Sequence, residues 1–239
     1  MNNNSSSSVE KSGTTKLDFS DKYDRQHSEL YLKKHKDGLS RRLSNWRDYK
    51  LAEKAIKIAG DPQTLLDLPC GAGRFWPLLS ENKNRKIYAA DNSQHMIDVA
   101  LTSQPSDITS RITAFQTSAF DIDMPDQSVD SIFCMRLIHH VAEPQHRLEI
   151  LKEFHRVSRD TLILSLWVDG NIKSWKRKRL EKRRAKKHGY QSNKNRFVLP
   201  RQQVEKEFNE AGFNIVDKLD FLPGYAMWRV YILKKKGVK

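Results

Sequence analysis

Two glycines and two acidic residues stand at the spacing of a nucleoside-binding site. Gly71 and Gly73 directly follow the apolar run Thr64–Leu68, so the backbone can turn tightly and approach a ligand closely. Asp91 ends a second apolar run and lies 18 residues after Gly73, near the offset of about 20 residues at which an acid reaches a ribose. Asp67 adds a carboxylate that can hold a cationic group.

The residue three positions after Gly73 separates two classes of nucleoside cofactor. A dinucleotide-binding turn needs a third glycine there, because the helix must pack closely on the strand. This chain has Trp76 instead, which argues against a nicotinamide cofactor. With the carboxylate of Asp67 available for a cationic amino-acid group, the motif favours S-adenosylmethionine.

The first motif also resembles that of a known family. Asp67, Gly71 and Gly73 resemble the acid and the last two glycines of motif I in class I S-adenosylmethionine-dependent methyltransferases, in particular the methyltransferase type 11 group. Pro69 stands where the first glycine is usual, so φ is fixed and one backbone donor is missing. The resemblance covers about residues 60–167.

Later segments extend this resemblance to motifs II, III and IV, with Asp91 at the ribose and Met96 near the adenine. It implies a cofactor site formed by Asp67, Pro69, Cys70, Gly71, Gly73, Asp91, Asn92, Met96, Ser118, Ala119, Phe120 and Cys134. Cys70 has no adjacent basic group, so it is expected to be a small buried residue and not a nucleophile.

The fold expected from the order of the motifs is α/β. Alternating strands and helices predict a doubly wound, Rossmann-like sheet, and the resemblance implies seven strands, mostly parallel, with an antiparallel C-terminal hairpin. The sequence also predicts a helix from Arg74 and an exposed loop at 158–160, ahead of a strand starting at Thr161.

The chain of 239 residues is expected to have three parts. Residues 1–16 are rich in Ser and Asn, which predicts a disordered tail. Residues 17–60 are expected to form an N-terminal helical cap, and residues 61–239 the methyltransferase domain, with a basic insertion at 168–199.

Hydropathy and cysteine content narrow the class of protein. The sequence contains no run of about 18 apolar residues, so no transmembrane helix is expected. Cys70 and Cys134 are the two cysteines of the chain. They indicate a reduced, cytoplasmic protein with no metal site.

Candidates for a general base follow the fourth strand. His139 or His140 could take a proton from a hydroxyl nucleophile, and Tyr23 in the cap is a third candidate. An amine acceptor needs little beyond alignment, because transfer from a sulfonium releases a neutral thioether. The alternative is that these histidines only shape the loop.

The formal net charge of +14 is concentrated in one segment. Between Lys173 and Arg196, twelve Lys or Arg accompany a single acid, Glu181, which gives +11. Such a density of charge favours a polyanionic partner, although a solvated helix is the plain alternative. The residues predicted to bind the acceptor are Arg136, Trp167, Trp175, Arg177 and Arg179.

Several anionic acceptors stay open, with methyl transfer to oxygen or nitrogen. The first expectation is a phosphorylated saccharide or glycolipid, with peripheral contact with an anionic membrane surface, because the type 11 group is rich in such acceptors. Phosphorylated small metabolites are also open. A tRNA or rRNA methyltransferase is the alternative enzyme, and a non-catalytic, cofactor-sensing RNA-binding protein is the alternative without catalysis.

Overall fold

The computed structural model describes residues 39–188 and 196–237. The helices are α1 Leu39–Ile58, α2 Trp76–Leu79, α3 Gln94–Ser103, α4 Ser106–Thr109, α5 Pro144–Val157, α6 Ile172–His188 and α7 Arg201–Glu210. The strands are β1 Thr64–Asp67, β2 Lys86–Asp91, β3 Ile112–Gln116, β4 Val129–Cys134, β5 Ser158–Trp167, β6 Phe213–Asp220 and β7 Trp228–Lys235.

Some sequence predictions fall outside these residues. They concern Tyr23, the tail 1–16, the cap residues 17–38 and residues 189–195 of the basic insertion. Within the described range, α1 covers the end of the expected cap and α6 lies inside the expected insertion. The boundaries of the three parts stay predictions.

The seven strands form one sheet in the order β3-β2-β1-β4-β5-β7-β6. The first five pair in parallel, and β7 lies antiparallel between β5 and β6. This topology confirms the predicted Rossmann-like fold with its terminal hairpin. The strand order reverses between β1 and β4, and ligands of doubly wound folds bind at the carboxyl ends of the strands beside such a reversal.

Both faces of the sheet are buried, which is why the central strands read as apolar runs. Adjacent residues of β1 belong to opposite clusters: Leu65 packs with Ala52 of α1, and Leu66 with Phe154 of α5 and Phe208 of α7. The helix α1 therefore covers one face, and α5 and α7 cover the other.

A buried ion pair joins α5 to α7. Arg147 Nε and Nη2 donate to the two carboxylate oxygens of Glu207 at 2.8 and 2.6 Å, and Arg147 Nη1 donates to the carbonyl oxygens of Val141 and Ala142. Removing one partner would leave a buried charge unpaired, at a cost of about 3–5 kcal/mol. The pair fixes α7, and hence the entry to the hairpin, against the body of the fold.

Two local predictions differ from the structure. The helix expected from Arg74 is the single turn α2, which begins at Trp76. The loop expected at 158–160 is the start of β5, because Ser158 pairs with Val129 and its Oγ donates to the carbonyl oxygen of Phe154 at 2.7 Å. The hydroxyl binds the last turn of α5, so the chain passes from helix to strand without a loop.

The start of α6 is fixed by its own side chains. Asn171 Oδ1 accepts the N–H of Ser174 at 2.9 Å, as an N-cap residue does. Ser174 Oγ donates to the Asn171 carbonyl at 2.7 Å. The basic helix therefore begins at a defined point, just after the carboxyl end of β5.

Candidate functional site

The glycine turn is held against β2 and packed by an indole. The Cys70 N–H donates to the Ala90 carbonyl at 2.8 Å. Gly71 and Gly73 have φ of +53° and +68°, which favours glycine at both positions. A Cβ on Gly73 would lie 2.8 Å from the ring of Trp76, which is fully buried. The tryptophan thus occupies the space beside Gly73.

The carboxylate of Asp91 is oriented by two backbone donors. Its Oδ2 accepts the N–H of Gly71 and its Oδ1 accepts the N–H of Ser93, each at 3.0 Å. Burial raises the pKa of Asp91, and the backbone donors oppose that rise. Each carboxylate oxygen keeps a further lone pair, so the group can accept a pair of vicinal hydroxyls from a ligand in the turn.

Asp67 holds a buried acceptor that lacks a partner. The residue is 2 % exposed, and its Oδ2 accepts no hydrogen bond. Burial raises the pKa of Asp67 well above its usual range, an interaction with the Trp76 side chain opposes the rise, and the nearby charge of Asp91 adds to it. Because an unsatisfied buried carboxylate oxygen is costly, this position fits a ligand that brings a positive charge or a donor.

The predicted adenine-side residues follow β2 and β3 at the same edge of the sheet. Met96 is buried, with its Cε 3.6 Å from the position that a Cβ of Gly71 would take. Ser118 Oγ accepts the N–H of Phe120 at 3.2 Å, and the Asn92 carbonyl accepts a hydrogen bond from the Gln116 side chain. Ala119 is partly buried.

Both cysteines are buried thiols. Burial raises the pKa of Cys70 and of Cys134, and the charge of Asp67 acts in the same direction. A raised pKa keeps the reactive thiolate scarce. The structure therefore gives neither cysteine the environment of a nucleophile.

The two candidate histidines have different surroundings. His139 is 1 % exposed, stacked on Trp167 at 5.1 Å and in edge contact with Trp228 at 4.8 Å. Burial lowers the pKa of His139 well below its usual value, and the neighbouring cations lower it further. His140 is only partly buried, with its ring 4.2 Å from that of His139.

Arg136 forms an ion pair whose partner the sequence did not reveal. It has φ of +70° and pairs with Asp48 of α1, which also accepts a hydrogen bond from Arg74 at 2.8 Å. The Arg136 guanidinium lies over the Trp228 ring at 5.1 Å. Asp48 stands 88 residues before Arg136, so no local motif could have pointed to it.

The predicted acceptor residues divide into two groups. Arg177 lies over Trp167 at 4.8 Å. The Trp167 ring stacks on His139, His139 makes an edge contact with Trp228, and Trp228 lies under the Arg136 guanidinium. These contacts form one row of rings and cations from Arg177 to Arg136. Arg179 lies over the exposed ring of Trp175 at 5.3 Å, away from this row.

A groove of about 560 Å³ opens where α6 begins. Its walls are formed by Asp169, Gly170, Asn171, Ile172, Ser174, Trp175, Lys178 and Gly224. In the described part of the chain, no three His, Cys, Asp or Glu side chains come together as metal ligands.

The segment with the glycine turn, Asp67 and Asp91 also matches known proteins. Residues 65–161 match a family model described as a methyltransferase domain. This segment belongs to a methyltransferase-domain family. The match runs from β1 into β5, so α6 and the terminal hairpin lie outside the matched part of the chain.

Curated relatives also match part of this chain. An uncharacterized methyltransferase of Schizosaccharomyces pombe is 31 % identical over 97 residues, which is 41 % of this chain and 35 % of the relative. The tRNA (carboxymethyluridine(34)-5-O)-methyltransferase ALKBH8 of Mus musculus is 26 % identical over 104 residues, 44 % of this chain and 14 % of the relative. The chain thus spans about a third or less of the length of these relatives.

A solved structure resembles this chain over most of its length. The magnesium protoporphyrin IX methyltransferase of Synechocystis PCC 6803, solved with bound SAH, has a TM-score of 0.70 and 12 % identity. The likeness covers 90 % of this chain and 97 % of that one. At this identity it shows a shared fold.

Proposed function

We propose that this chain transfers a methyl group from S-adenosylmethionine to an oxygen or nitrogen nucleophile of an anionic acceptor. The unpartnered, buried oxygen of Asp67 beside the glycine turn carries the proposal, because it fits the cationic amino-acid part of that cofactor. Asp91 would accept the ribose hydroxyls. Met96 and residues 118–120 would enclose the adenine.

Methyl transfer requires the protein mainly to align the nucleophile with the methyl group and to exclude water. Bound S-adenosylmethionine supplies an electrophilic methyl group and leaves as a neutral thioether. The side chains after β4 and β5 would position the acceptor near that methyl group. In the row from Arg177 to Arg136, Trp167 and His139 are buried, whereas the two arginines at its ends are partly exposed.

A hydroxyl acceptor would benefit from a base, and the structure favours His140 over His139 for this role. His139 is enclosed by Trp167 and Trp228, and its lowered pKa makes it a weak base. His140 is partly exposed. Replacing His140 with Gln should lower the rate with a hydroxyl acceptor by about 100-fold, whereas His139→Phe should preserve the stacking and most of the rate.

The first acceptor class that we propose is a phosphorylated saccharide or glycolipid. The cations of α6 support an anionic acceptor, since Lys176, Arg179 and Arg183 are exposed and form no ion pair with a carboxylate of the described residues. A location in the cytoplasm, expected from the two cysteines, stays a prediction. No helix of the described chain combines the length and the hydropathy needed to cross a membrane.

RNA is the second candidate acceptor. The mouse relative is named as a tRNA methyltransferase, and the exposed ring of Trp175 with Arg179 above it is a pair on which a base can stack. An RNA-binding protein that senses the cofactor without catalysis would use the same two features.

Labelled S-adenosylmethionine tests these proposals together. The full chain would be incubated with the labelled cofactor and separate lipid, RNA and metabolite extracts, with Asp91→Ala as a control of impaired cofactor binding. We expect label in the lipid or saccharide fraction, absent with the control. Label in RNA alone would support the second candidate, and no label in any fraction would contradict the proposed activity.

A further inference from the structure

Four exposed apolar side chains belong to two segments that are joined at the start of α6. Ile172 and Trp175 belong to the first turn of the helix and are 49 % and 58 % exposed. Leu222 and Tyr225 belong to the loop between β6 and β7 and are 46 % and 42 % exposed. We name these four residues the apolar tip.

Backbone hydrogen bonds hold the two segments of the apolar tip together. The Ile172 N–H donates to the Gly224 carbonyl and the Lys173 N–H donates to the Tyr225 carbonyl, each at 3.0 Å. The segments are about 50 residues apart in the sequence, so the helix alone has less apolar surface than the folded chain presents. The groove described above opens beside Ile172 and Trp175.

Cations surround the apolar tip. Lys173 lies over the Tyr225 ring at 5.2 Å, and Arg179 lies over the Trp175 ring at 5.3 Å. At 100° per residue, Lys176, Arg179 and Arg183 continue the face of the helix that begins with Ile172, and all three are exposed. We name Lys176, Arg179 and Arg183 the cationic face.

The opposite side of α6 is the one that packs on the protein. Ser174 is buried there, and Arg177 is partly buried, with its Nε donating to Glu181 at 2.9 Å. The one acid of the helix is therefore on the packed side. It does not neutralise the cationic face.

We propose that the apolar tip and the cationic face dock the protein on the surface of an anionic lipid bilayer. Trp and Tyr anchor proteins at the boundary between headgroups and acyl chains, and Ile172 and Leu222 add aliphatic surface there. Lys and Arg on the same face attract anionic headgroups. A nucleic acid would use the rings and the cations but would leave the two aliphatic side chains unpaired.

The docking is shallow and depends on charge, because four apolar side chains are too few for deep insertion. Docking extends the proposed function and rests on it, since the bilayer would present a lipid-linked acceptor beside the groove. Binding to a bilayer is measured without cofactor or acceptor, so it can fail while methyl transfer to another acceptor stands.

The first test compares two matched apolar pairs. Sedimentation with vesicles of phosphatidylglycerol and phosphatidylcholine would be measured for the full chain, for Ile172→Ser with Trp175→Ser, and for Leu43→Ser with Trp46→Ser. Leu43 and Trp46 are also exposed and also three residues apart, on α1. We expect the first pair to weaken binding by about tenfold and the second to leave it unchanged; equal losses would overturn the proposal.

The second test removes the same charge from two surfaces. Replacing Lys176, Arg179 and Arg183 with Gln should weaken binding to the anionic vesicles by about 100-fold. Replacing the exposed Lys83, Lys86 and Lys152 with Gln removes three charges elsewhere and should have a much smaller effect. Binding should also fall as salt is added.

Single-stranded RNA serves as the competing ligand in the same assays. Binding to RNA through the cationic face, with no binding to anionic vesicles at low salt, would overturn the proposal in favour of a nucleic acid. Equal binding to vesicles of pure phosphatidylcholine would also overturn it, because the cationic face would then have no role.

Discussion

The side that we propose for the cofactor and the side that we propose for the acceptor are built differently. On the cofactor side, backbone geometry and buried carboxylates set the site: Gly73 has left-handed φ, Asp91 accepts two backbone N–H groups, and Asp67 is buried without a partner for one oxygen. On the acceptor side, exposed side chains from α6 and from the β6–β7 loop lie next to one another.

Because of this difference, we expect substitutions on the two sides to affect different properties, namely the stability of the fold and the recognition of the acceptor. A substitution on the cofactor side changes packing or a buried charge, so it acts on folding as well as on binding. A substitution on the exposed face of α6 removes little buried contact, so it should act on the acceptor alone. The variants below test that separation.

The largest effect is expected for Gly73→Ala. The new Cβ would lie 2.8 Å from the buried Trp76 ring, in a residue with φ of +68°. Clash and backbone strain together should lower the free energy of unfolding by about 3 kcal/mol. Urea denaturation measures this loss.

Gly71→Ala is the matched control for this prediction. It also has left-handed φ, but its Cβ would make an ordinary contact of 3.6 Å with Met96. Strain alone should cost about 1 kcal/mol. If the two variants were equally unstable, the packing of Trp76 against Gly73 would not be what requires glycine there.

Asp91→Ala should mainly weaken cofactor binding. It removes the carboxylate that we assign to the ribose hydroxyls, and the loss of charge-assisted hydrogen bonds should cost about 2 kcal/mol of binding free energy. The Gly71 and Ser93 N–H groups also lose their acceptor, so some stability is lost as well. Calorimetry with S-adenosylmethionine that gave an unchanged affinity would show that the ribose lies elsewhere.

Asp67→Asn should stabilise the ligand-free protein. Because the folded-state pKa of Asp67 is raised, the wild-type protein loses stability as pH rises from the unfolded-state pKa, about 3.9, through the folded-state value. At pH 7 the variant should therefore be more stable by about 1 kcal/mol, and the gain should vanish below about pH 4.

Cofactor binding separates this effect from a general gain in stability. S-adenosylmethionine should raise the melting temperature of the wild-type protein more than that of Asp67→Asn, because the variant has lost the charge that we assign to the amino group of the cofactor. Asp107→Asn, at an exposed position, should change neither quantity. An unchanged cofactor shift in Asp67→Asn would remove Asp67 from the site.

Local sequence determined the strands and the glycine turn well enough to predict them. The strands at Thr64 and Ile87 and the turn at Gly71 follow from apolar runs and glycines that are close in the chain. The contact of Arg136 with Asp48 joins segments that are distant in the sequence. Hydrophobic periodicity and motif spacing therefore could not predict it. The early start of β5 depends on the hydroxyl of Ser158, which donates a hydrogen bond back to α5. Sequence alone predicts a loop there, because a polar residue before an apolar strand is typical of a loop.

The smallest effect on stability is expected for Lys178→Gln, in the middle of α6. Its ion pair with Asp169 at 3.0 Å joins side chains that are 49 % and 30 % exposed, so solvent screens it and the free energy of unfolding should change by less than about 0.5 kcal/mol. Cofactor affinity should be unaffected. A loss of methyl transfer to the acceptor without a loss of stability would show that α6 acts in recognition, whereas a loss of more than about 1 kcal/mol would mean that α6 also supports the fold and that the two sides are not separable.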